Sequence, residues 1–137
     1  MRWLRKLFGR KALIVVIDDS DELAAVLSYF LRLEGYRVKR AADGYKGVVL
    51  VQKILPDLVI LDISLPNMDG KAVLALLKSD PKTQGIPVVM CTTSSMLRDV
   101  EKCCSDGAAG YILKPFDPEK ALEKIESTLR RARGTGP

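Results

Sequence analysis

Short apolar segments alternate with amphipathic segments along most of the chain, and this alternation is the clearest structural signal in the sequence. The apolar segments predict five β-strands, at residues 13–17, 36–40, 58–61, 88–91 and 111–113. The first, third and fourth of these are apolar at every position instead of at alternate positions. That pattern is typical of strands buried on both faces, as in a parallel sheet covered by helices.

The segments between the strands carry apolar residues at spacings of three and four, which is the pattern of a helix with one buried face. We predict helices at residues 20–34, 44–54, 70–79, 95–105 and 118–132. Gly35 is a helix-ending residue and follows the first of them. The last begins with Asp117-Pro118-Glu119, a capping residue followed by proline and by an acid at the positive end of the helix.

Five strand–helix units in strict alternation predict an α/β fold, with a doubly wound five-stranded parallel sheet and five helices. The right-handedness of parallel crossovers leaves few other arrangements. The 137 residues suit one such domain. We divide the chain into a basic amphipathic N-terminal extension at 1–10, a domain at 11–132 and a C-terminal tail at 133–137.

The net charge of +5 is concentrated at the two ends of the chain. Residues 1–11 carry five basic side chains and no acidic one, and residues 124–137 carry four basic side chains against one acid. The segment between them is net acidic, so the charge does not indicate a nucleic-acid surface on the domain. We therefore expect no direct contact with nucleic acid.

The N-terminal extension has two interpretations. Trp3, Leu4, Leu7 and Phe8 share one face if the segment is helical, and such a basic amphipathic helix suits weak contact with an anionic membrane surface or a partner groove. The other interpretation is a disordered or locally packed tail, since so short a helix is marginal alone in water. No apolar run approaches the roughly 20 residues of a membrane span, and no signal peptide is evident, so we expect a cytoplasmic protein.

The cysteine and histidine content limits which disulfide and metal sites the chain can form. The chain has three cysteines, two of them adjacent, and no histidine. A disulfide framework and a zinc site of Cys/His spacing are therefore not expected, and reduced structural thiols are the simplest interpretation.

Polar side chains follow the predicted strands at the points where they end. Asp18 and Asp19 follow the first strand, Asp62 follows the third, Thr92 follows the fourth, and Lys114 stands at the end of the fifth. Because the carboxyl ends of parallel strands lie at one edge of a sheet, these side chains are expected to converge there.

Three carboxylates in one place repel one another, and a hard divalent cation relieves that repulsion. Mg²⁺ prefers oxygen ligands and combines one or two carboxylates with phosphate oxygens, so magnesium is the predicted cofactor. Lys114 can pair with Asp62 or hold an anion beside the metal. A metal, a lysine and a hydroxyl around one carboxylate indicate phosphoryl transfer to that carboxylate.

The sequence resembles the receiver domain of bacterial response regulators, the phosphorylated components of two-component systems, and in particular the single-domain chemotaxis type. The resemblance covers about residues 11–132 and rests on four ordered segments, Ile14-Val15-Val16-Ile17-Asp18-Asp19, Leu61-Asp62-Ile63-Ser64-Leu65-Pro66-Asn67-Met68-Asp69-Gly70, Pro87-Val88-Val89-Met90-Cys91-Thr92 and Gly107-Ala108-Ala109-Gly110-Tyr111-Ile112-Leu113-Lys114-Pro115-Phe116. It implies the flavodoxin-like strand order 2-1-3-4-5.

The resemblance also implies a set of metal and phosphoacceptor residues. Asp62 is expected to be the phosphoacceptor and to share the Mg²⁺ ion with Asp19, which binds it directly. Asp18 is expected to contribute through water, and Ser64 through its backbone carbonyl.

Three further residues have expected roles in switching. Thr92 is the expected switch hydroxyl, Lys114 contacts the phosphoryl group, and Tyr111 is the aromatic residue whose rotamer follows Thr92. The bond between Lys114 and Pro115 is expected to be cis. The face formed by the fourth and fifth helices and the fifth strand is then expected to change its partner preference on phosphorylation.

By the same resemblance, the protein is a phosphoacceptor and not an enzyme in the usual sense. Its expected partners are a sensor histidine kinase or histidine phosphotransfer protein and a downstream protein target. Because the sequence after Leu129 is too short for a DNA reader, we expect output by protein–protein contact or onward phosphoryl transfer.

Alternatives remain open at this point. A phosphorylation-silent adapter fits the same pattern, and a phosphohydrolase of the haloacid-dehalogenase kind shares the strand-end aspartate but has a second aspartate where this chain has Ser64. A flavin carrier needs a phosphate loop that the acidic segment after the first strand would repel. Locally, Asp19 can be a helix N-cap, Asp69-Gly70 a plain helix start, and Gly47 a helix position that costs about 1 kcal/mol relative to alanine.

Overall fold

The computed structural model describes residues 12–134, and the doubly wound sheet predicted from the sequence is confirmed. Five parallel strands lie in the order β2-β1-β3-β4-β5. Strands and helices alternate along the chain as β1 (Leu13–Ile17), α1 (Asp21–Leu33), β2 (Arg37–Ala41), α2 (Gly44–Ile54), β3 (Leu58–Leu61), α3 (Gly70–Ser79), β4 (Val88–Thr93), a 3₁₀ turn (Ser94–Met96), α4 (Leu97–Ser105), β5 (Gly110–Lys114) and α5 (Pro118–Ala132). The expectations placed on residues 1–10 lie outside the described residues.

Each face of the sheet has its own hydrophobic core. Ile14 and Val16 of β1 point to the core that α1 and α5 cover, and their neighbours Val15 and Ile17 point to the core under α2, α3 and α4. All four side chains are buried. The continuously apolar strands are therefore explained by burial on both faces, as the sequence pattern predicted.

The ends of the helices follow local sequence signals with one difference. Gly35 has a positive φ, and the amides of Gly35 and Tyr36 donate to the carbonyls of Arg32 and Leu31, which closes α1 in a Schellman motif. Ser20 caps the start of α1 by accepting a hydrogen bond from the amide of Leu23. The interpretation of Asp19 as the cap is therefore wrong, because the serine hydroxyl performs that role.

Gly47 in α2 is required by packing. A Cβ atom built on Gly47 would come within 2.6–3.0 Å of three side-chain atoms of Ile17, which is fully buried in the sheet. A β-branched side chain at the centre of the core cannot move away freely. The low helix propensity of glycine is the cost of bringing α2 close to β1 at this point.

Two further features concern membrane spans and cysteines. Within residues 12–134, no helix is both long enough and apolar enough to cross a lipid bilayer. All three cysteines are free, and burial raises the pKa of the Cys91 thiol to about 12.

Candidate functional site

The carboxyl edge of the sheet collects the side chains that the sequence singled out. β1 and β3 are neighbours with Ile17 opposite Leu61, so Asp18 and Asp62, the residues that follow, leave the sheet side by side. The amide of Asp62 donates to the carbonyl of Ile17 at 3.0 Å, which continues the pairing by one residue. The parallel register of the two central strands thus places two acids next to each other.

Lys114 bridges these two acids from the end of β5. Its Nζ lies 2.7 Å from Oδ2 of Asp18 and 3.0 Å from Oδ2 of Asp62. The three side chains are only 7–9% exposed. A cation shared by two buried carboxylates relieves their mutual repulsion, so this bridge is what makes the pocket compatible with a folded core.

The environment of Lys114 keeps it charged. Burial alone would lower the pKa of its ammonium, but hydrogen bonds and charge attraction from Asp18 and Asp62 outweigh burial and raise the pKa above the usual lysine value. Lys114 is therefore a permanent positive charge at this edge of the sheet throughout the physiological pH range.

The loops after β1 and β3 orient the same two carboxylates. Oδ1 of Asp18 accepts a hydrogen bond from the amide of Ser20 at 2.9 Å, and Oδ1 of Asp62 accepts one from the amide of Ser64 at 3.3 Å. Each acid is thus held between Lys114 on one oxygen and a backbone amide two residues later on the other. This matched arrangement fixes both carboxylate planes in the pocket.

The donor set suits a magnesium ion. One carboxylate oxygen from each of Asp18, Asp19 and Asp62 lies within 4.8 Å of the others, and Asp19 is exposed where the other two are buried. All three donors are hard oxygens, and the open side at Asp19 leaves room for the waters that Mg²⁺ retains. The residues therefore fit this metal.

Thr92 and Tyr111 lie on neighbouring strands, Thr92 near the carboxyl end of β4 and Tyr111 near the start of β5. Thr92 is buried on β4 with Leu113 opposite, and the next pair in that register joins Thr93 to Lys114. Tyr111 lies on β5 with its side chain largely in solvent, 41% exposed. The peptide bond between Lys114 and Pro115 is cis. Their switching roles remain predictions.

Two residues near the pocket were missed by sequence reasoning. Arg40 at the end of β2 donates two hydrogen bonds to the backbone carbonyl of Asp18. Gly70, the first residue of α3, was interpreted as a plain helix start, yet its amide donates to the carbonyl of Ile63 at 2.7 Å and its Cα lies against the loop that carries Asp62. The sequence carried a usable signal for Gly70. Both Asp43-Gly44 and Asp69-Gly70 put a glycine at the first position of a helix, where the backbone conformation does not require glycine.

We predict that Gly70→Ala distorts the acidic pocket. The added Cβ would overlap the backbone carbonyl of Asp62 and lie 2.7 Å from the Cα of Ile63, so the loop after β3 must move. We expect the free energy of unfolding to fall by about 1–3 kcal/mol in urea denaturation, the usual cost of overpacking. Gly85→Ala is the matched control, because nothing lies within 4 Å of a Cβ atom there. Equal effects at the two sites would contradict the prediction.

Taken together, the fold and the site define a class of protein. A doubly wound sheet of order 2-1-3-4-5, with an acid pair after β1, an acid after β3 and, at the end of β5, a lysine that precedes a cis proline, suits a phosphoacceptor signalling domain. The profile of the response regulator receiver domain matches residues 14–126, and the chain belongs to this family. Receiver domains bind Mg²⁺ in an acidic pocket, and the aspartate cluster supplies one here.

Characterised relatives include DNA-binding regulators. The chain is 39% identical over 118 residues to the DNA-binding dual master transcriptional regulator RpaA of Synechocystis sp. The matched segment covers 86% of this chain and 49% of RpaA. It is 38% identical over 118 residues to the DNA-binding response regulator MtrA of Mycolicibacterium paratuberculosis, covering 86% of this chain and 51% of MtrA. The chain thus spans about half the length of these relatives.

Solved structures of similar size also match. The chemotaxis response regulator CheY4 of Vibrio cholerae superposes with a TM-score of 0.80 at 29% identity, over 86% of this chain and 98% of CheY4. A CheY-like receiver domain protein from Methanospirillum hungatei gives a TM-score of 0.84 at 28% identity, over 92% and 99% of the two chains. The sequence-based recognition of the receiver family is confirmed, whereas the chemotaxis type remains a prediction.

Proposed function

We propose that this chain is a receiver module in which Asp62 accepts a phosphoryl group from a phosphohistidine of a sensor kinase or a histidine phosphotransfer protein. The observation that carries the proposal is the bridge from Lys114 to Asp18 and Asp62 beside the open carboxylate of Asp19. The bridge supports the proposal because it holds the carboxylate of Asp62 between a fixed cation and a group of acids suited to a divalent metal. Neither phosphohydrolase nor flavin chemistry is favoured by the family match.

Each residue has a defined part in the proposed transfer. An oxygen of Asp62 forms a bond to phosphorus as the phosphorus–nitrogen bond of phosphohistidine breaks, and the bonding electron pair leaves with the imidazole. Lys114, already 3.0 Å from Asp62, neutralises charge on the phosphoryl oxygens. Asp18, Asp19, Asp62 and the carbonyl of Ser64 would hold Mg²⁺, which when bound shields the negative charges of nucleophile and phosphoryl group.

The proposed output is a change in the face formed by α4, β5 and α5. Phosphorylation adds about −1.5 to −2 charges beside Lys114. The buried hydroxyl of Thr92 moves toward the new phosphoryl oxygens, and Tyr111, now 41% exposed, turns into the space that Thr92 leaves. These movements shift the populations of two surface states and so the affinity for a protein partner.

The kind of output that we expected from the sequence differs from the kind that the names of the relatives indicate. The sequence led us to expect a single-domain protein with a protein target and no nucleic acid. RpaA and MtrA are named as DNA-binding regulators, and this chain spans only about half their length, so that expectation finds no support in the relatives. The part proposed for this domain is the phosphorylation switch itself, which serves either kind of output.

The test is labelling with acetyl phosphate, a small phosphoryl donor. We expect wild-type protein to take up one phosphoryl group per chain when Mg²⁺ is present and none when EDTA removes it. Asp19→Ala should raise the Mg²⁺ concentration needed for half-maximal labelling, because one metal ligand is lost. Labelling that is indifferent to EDTA would contradict the proposed chemistry.

A further inference from the structure

The backbone carbonyl of Asp18 is bound by a side chain and not by the neighbouring strand. The last residue pair of β1 and β2 joins Ile17 to Ala41, and the amide of Asp18 still donates to the carbonyl of Ala41 at 3.1 Å. The carbonyl of Asp18 lies beyond the ladder. It accepts instead from the side chain of Arg40, whose Nε lies 3.1 Å and Nη2 2.7 Å away.

The same guanidinium also reaches the first turn of α1. Nη1 of Arg40 lies 2.7 Å from Oδ1 of Asp21, which is 92% exposed, whereas the side chain of Arg40 is 28% exposed. An ion pair with so exposed a partner is weak. The two hydrogen bonds to the Asp18 carbonyl are therefore the more important contact, and they match the planar fork of arginine.

Holding the carbonyl of Asp18 also orients Asp19. The peptide unit is planar, so the carbonyl of Asp18 and the amide of Asp19 turn together. The carboxylate of Asp18 has its own supports in Lys114 and the amide of Ser20. In the described part of the chain the carboxylate of Asp19 accepts no hydrogen bond, so its direction depends on the backbone that Arg40 holds.

We propose that Arg40 is a positioning residue for the acidic pocket, which fixes the peptide plane between Asp18 and Asp19 and so sets the affinity for Mg²⁺. This inference rests on the proposed function, since it concerns the same pocket. Arg40 is not among the residues expected to hold Mg²⁺ or the phosphoryl group, and its proposed action runs through the backbone of Asp18.

Electrostatics and positioning make opposite predictions for this residue. Arg40 is a cation near a cation site, so its charge alone disfavours Mg²⁺, and its removal would tighten binding. If Arg40 instead positions the loop, its removal weakens binding even though a repulsive charge is lost. The sign of the change in affinity therefore separates the two roles.

The experiment is a Mg²⁺ titration followed through the backbone amide resonances of nitrogen-labelled protein. We expect Arg40→Gln to raise the dissociation constant about 10-fold, as for other residues that orient metal ligands. Arg40→Lys should bind Mg²⁺ nearly as weakly as Arg40→Gln, because lysine keeps the charge but cannot donate the two parallel hydrogen bonds of the guanidinium. Labelling by acetyl phosphate at saturating Mg²⁺ should recover in both variants.

Two controls separate the contacts. Lys39→Gln removes an exposed charge from the same strand without touching the loop, and Asp21→Asn removes the ion pair but leaves the hydrogen bonds to Asp18. Both should bind Mg²⁺ within about 2-fold of wild type, as expected for exposed charges. Melting temperatures in EDTA establish that each variant is folded. If Arg40→Gln does not fold, Arg40→Lys carries the test of the positioning role.

The outcomes are distinct. Unchanged or tighter Mg²⁺ binding by Arg40→Gln would overturn the positioning role. Wild-type affinity in Arg40→Lys would show that the paired hydrogen bonds to the Asp18 carbonyl are not needed, and it would overturn that role as well. Failure of the wild type to bind Mg²⁺ or to be labelled would instead refute the proposed function.

Discussion

Asp62→Asn is expected to abolish labelling by acetyl phosphate while leaving the fold intact. Asparagine has the shape of aspartate but is a poor nucleophile, so no bond to phosphorus forms. The substitution also removes one of the two buried negative charges bridged by Lys114, so we expect the metal-free protein to be at least as stable as wild type. Incorporation of label, measured at saturating Mg²⁺, should fall to background.

The control for this experiment is Asp80→Asn. Asp80 follows the last residue of α3, at the opposite end of that helix from Gly70, and its carboxylate accepts a hydrogen bond only from the nearby amide of Lys82 among the contacts in residues 12–134. Its replacement should leave labelling unchanged. Label that persists in Asp62→Asn would show that another acid, such as Asp18 or Asp19, is the phosphoacceptor.

Lys114→Met is expected to destabilise the metal-free protein and to make its stability depend on Mg²⁺. Breaking a buried ion pair leaves charges uncompensated, here the carboxylates of Asp18 and Asp62, at a cost of about 3 kcal/mol. This corresponds to a fall in melting temperature of roughly 10 °C in EDTA. Added Mg²⁺ should raise the melting temperature more in the variant than in wild type, because the ion replaces the lost positive charge.

Lys71→Met tests whether the loss of any lysine ion pair has this effect. Lys71 pairs with Asp99 at 3.0 Å, but the two side chains are 48% and 38% exposed. The melting temperature of this control should barely change and should respond to Mg²⁺ as wild type does. A Lys114→Met protein whose melting temperature equals that of wild type in EDTA would contradict the stabilising role of the bridge.

Much of the fold was predictable from the sequence because strand burial and helix caps are local or periodic signals. The continuous apolar runs of β1, β3 and β4 predicted burial on both faces, and Gly35 and Asp117 marked the ends of helices where the structure has them. The remaining differences are local. Residues 94–96, partly counted as helix, form a 3₁₀ turn before α4, and Ser20 caps α1 in place of Asp19.

The acidic pocket was predictable for a different reason. In a parallel sheet the carboxyl ends of all strands lie at one edge, so the residues that follow them are brought together by topology alone. That rule predicted that Asp18, Asp62 and Lys114 share one pocket, and the distances of 2.7 and 3.0 Å from Nζ of Lys114 to the two carboxylates agree with it. The catalytic role of Asp62 and the switching roles of Thr92 and Tyr111 stay predictions.

By itself, the sequence determined which segments are strands and helices, which edge of the sheet carries the acids, and which chemistry those acids suit, because hydrophobic period and strand-end position are readable along one dimension. Only the tertiary structure decided how closely the elements approach. The contact of Arg40 with the carbonyl of Asp18, and the need for glycine at position 47, depend on atoms of segments far apart in the chain. No local pattern encodes such a contact, since its energy exists only after the sheet has formed.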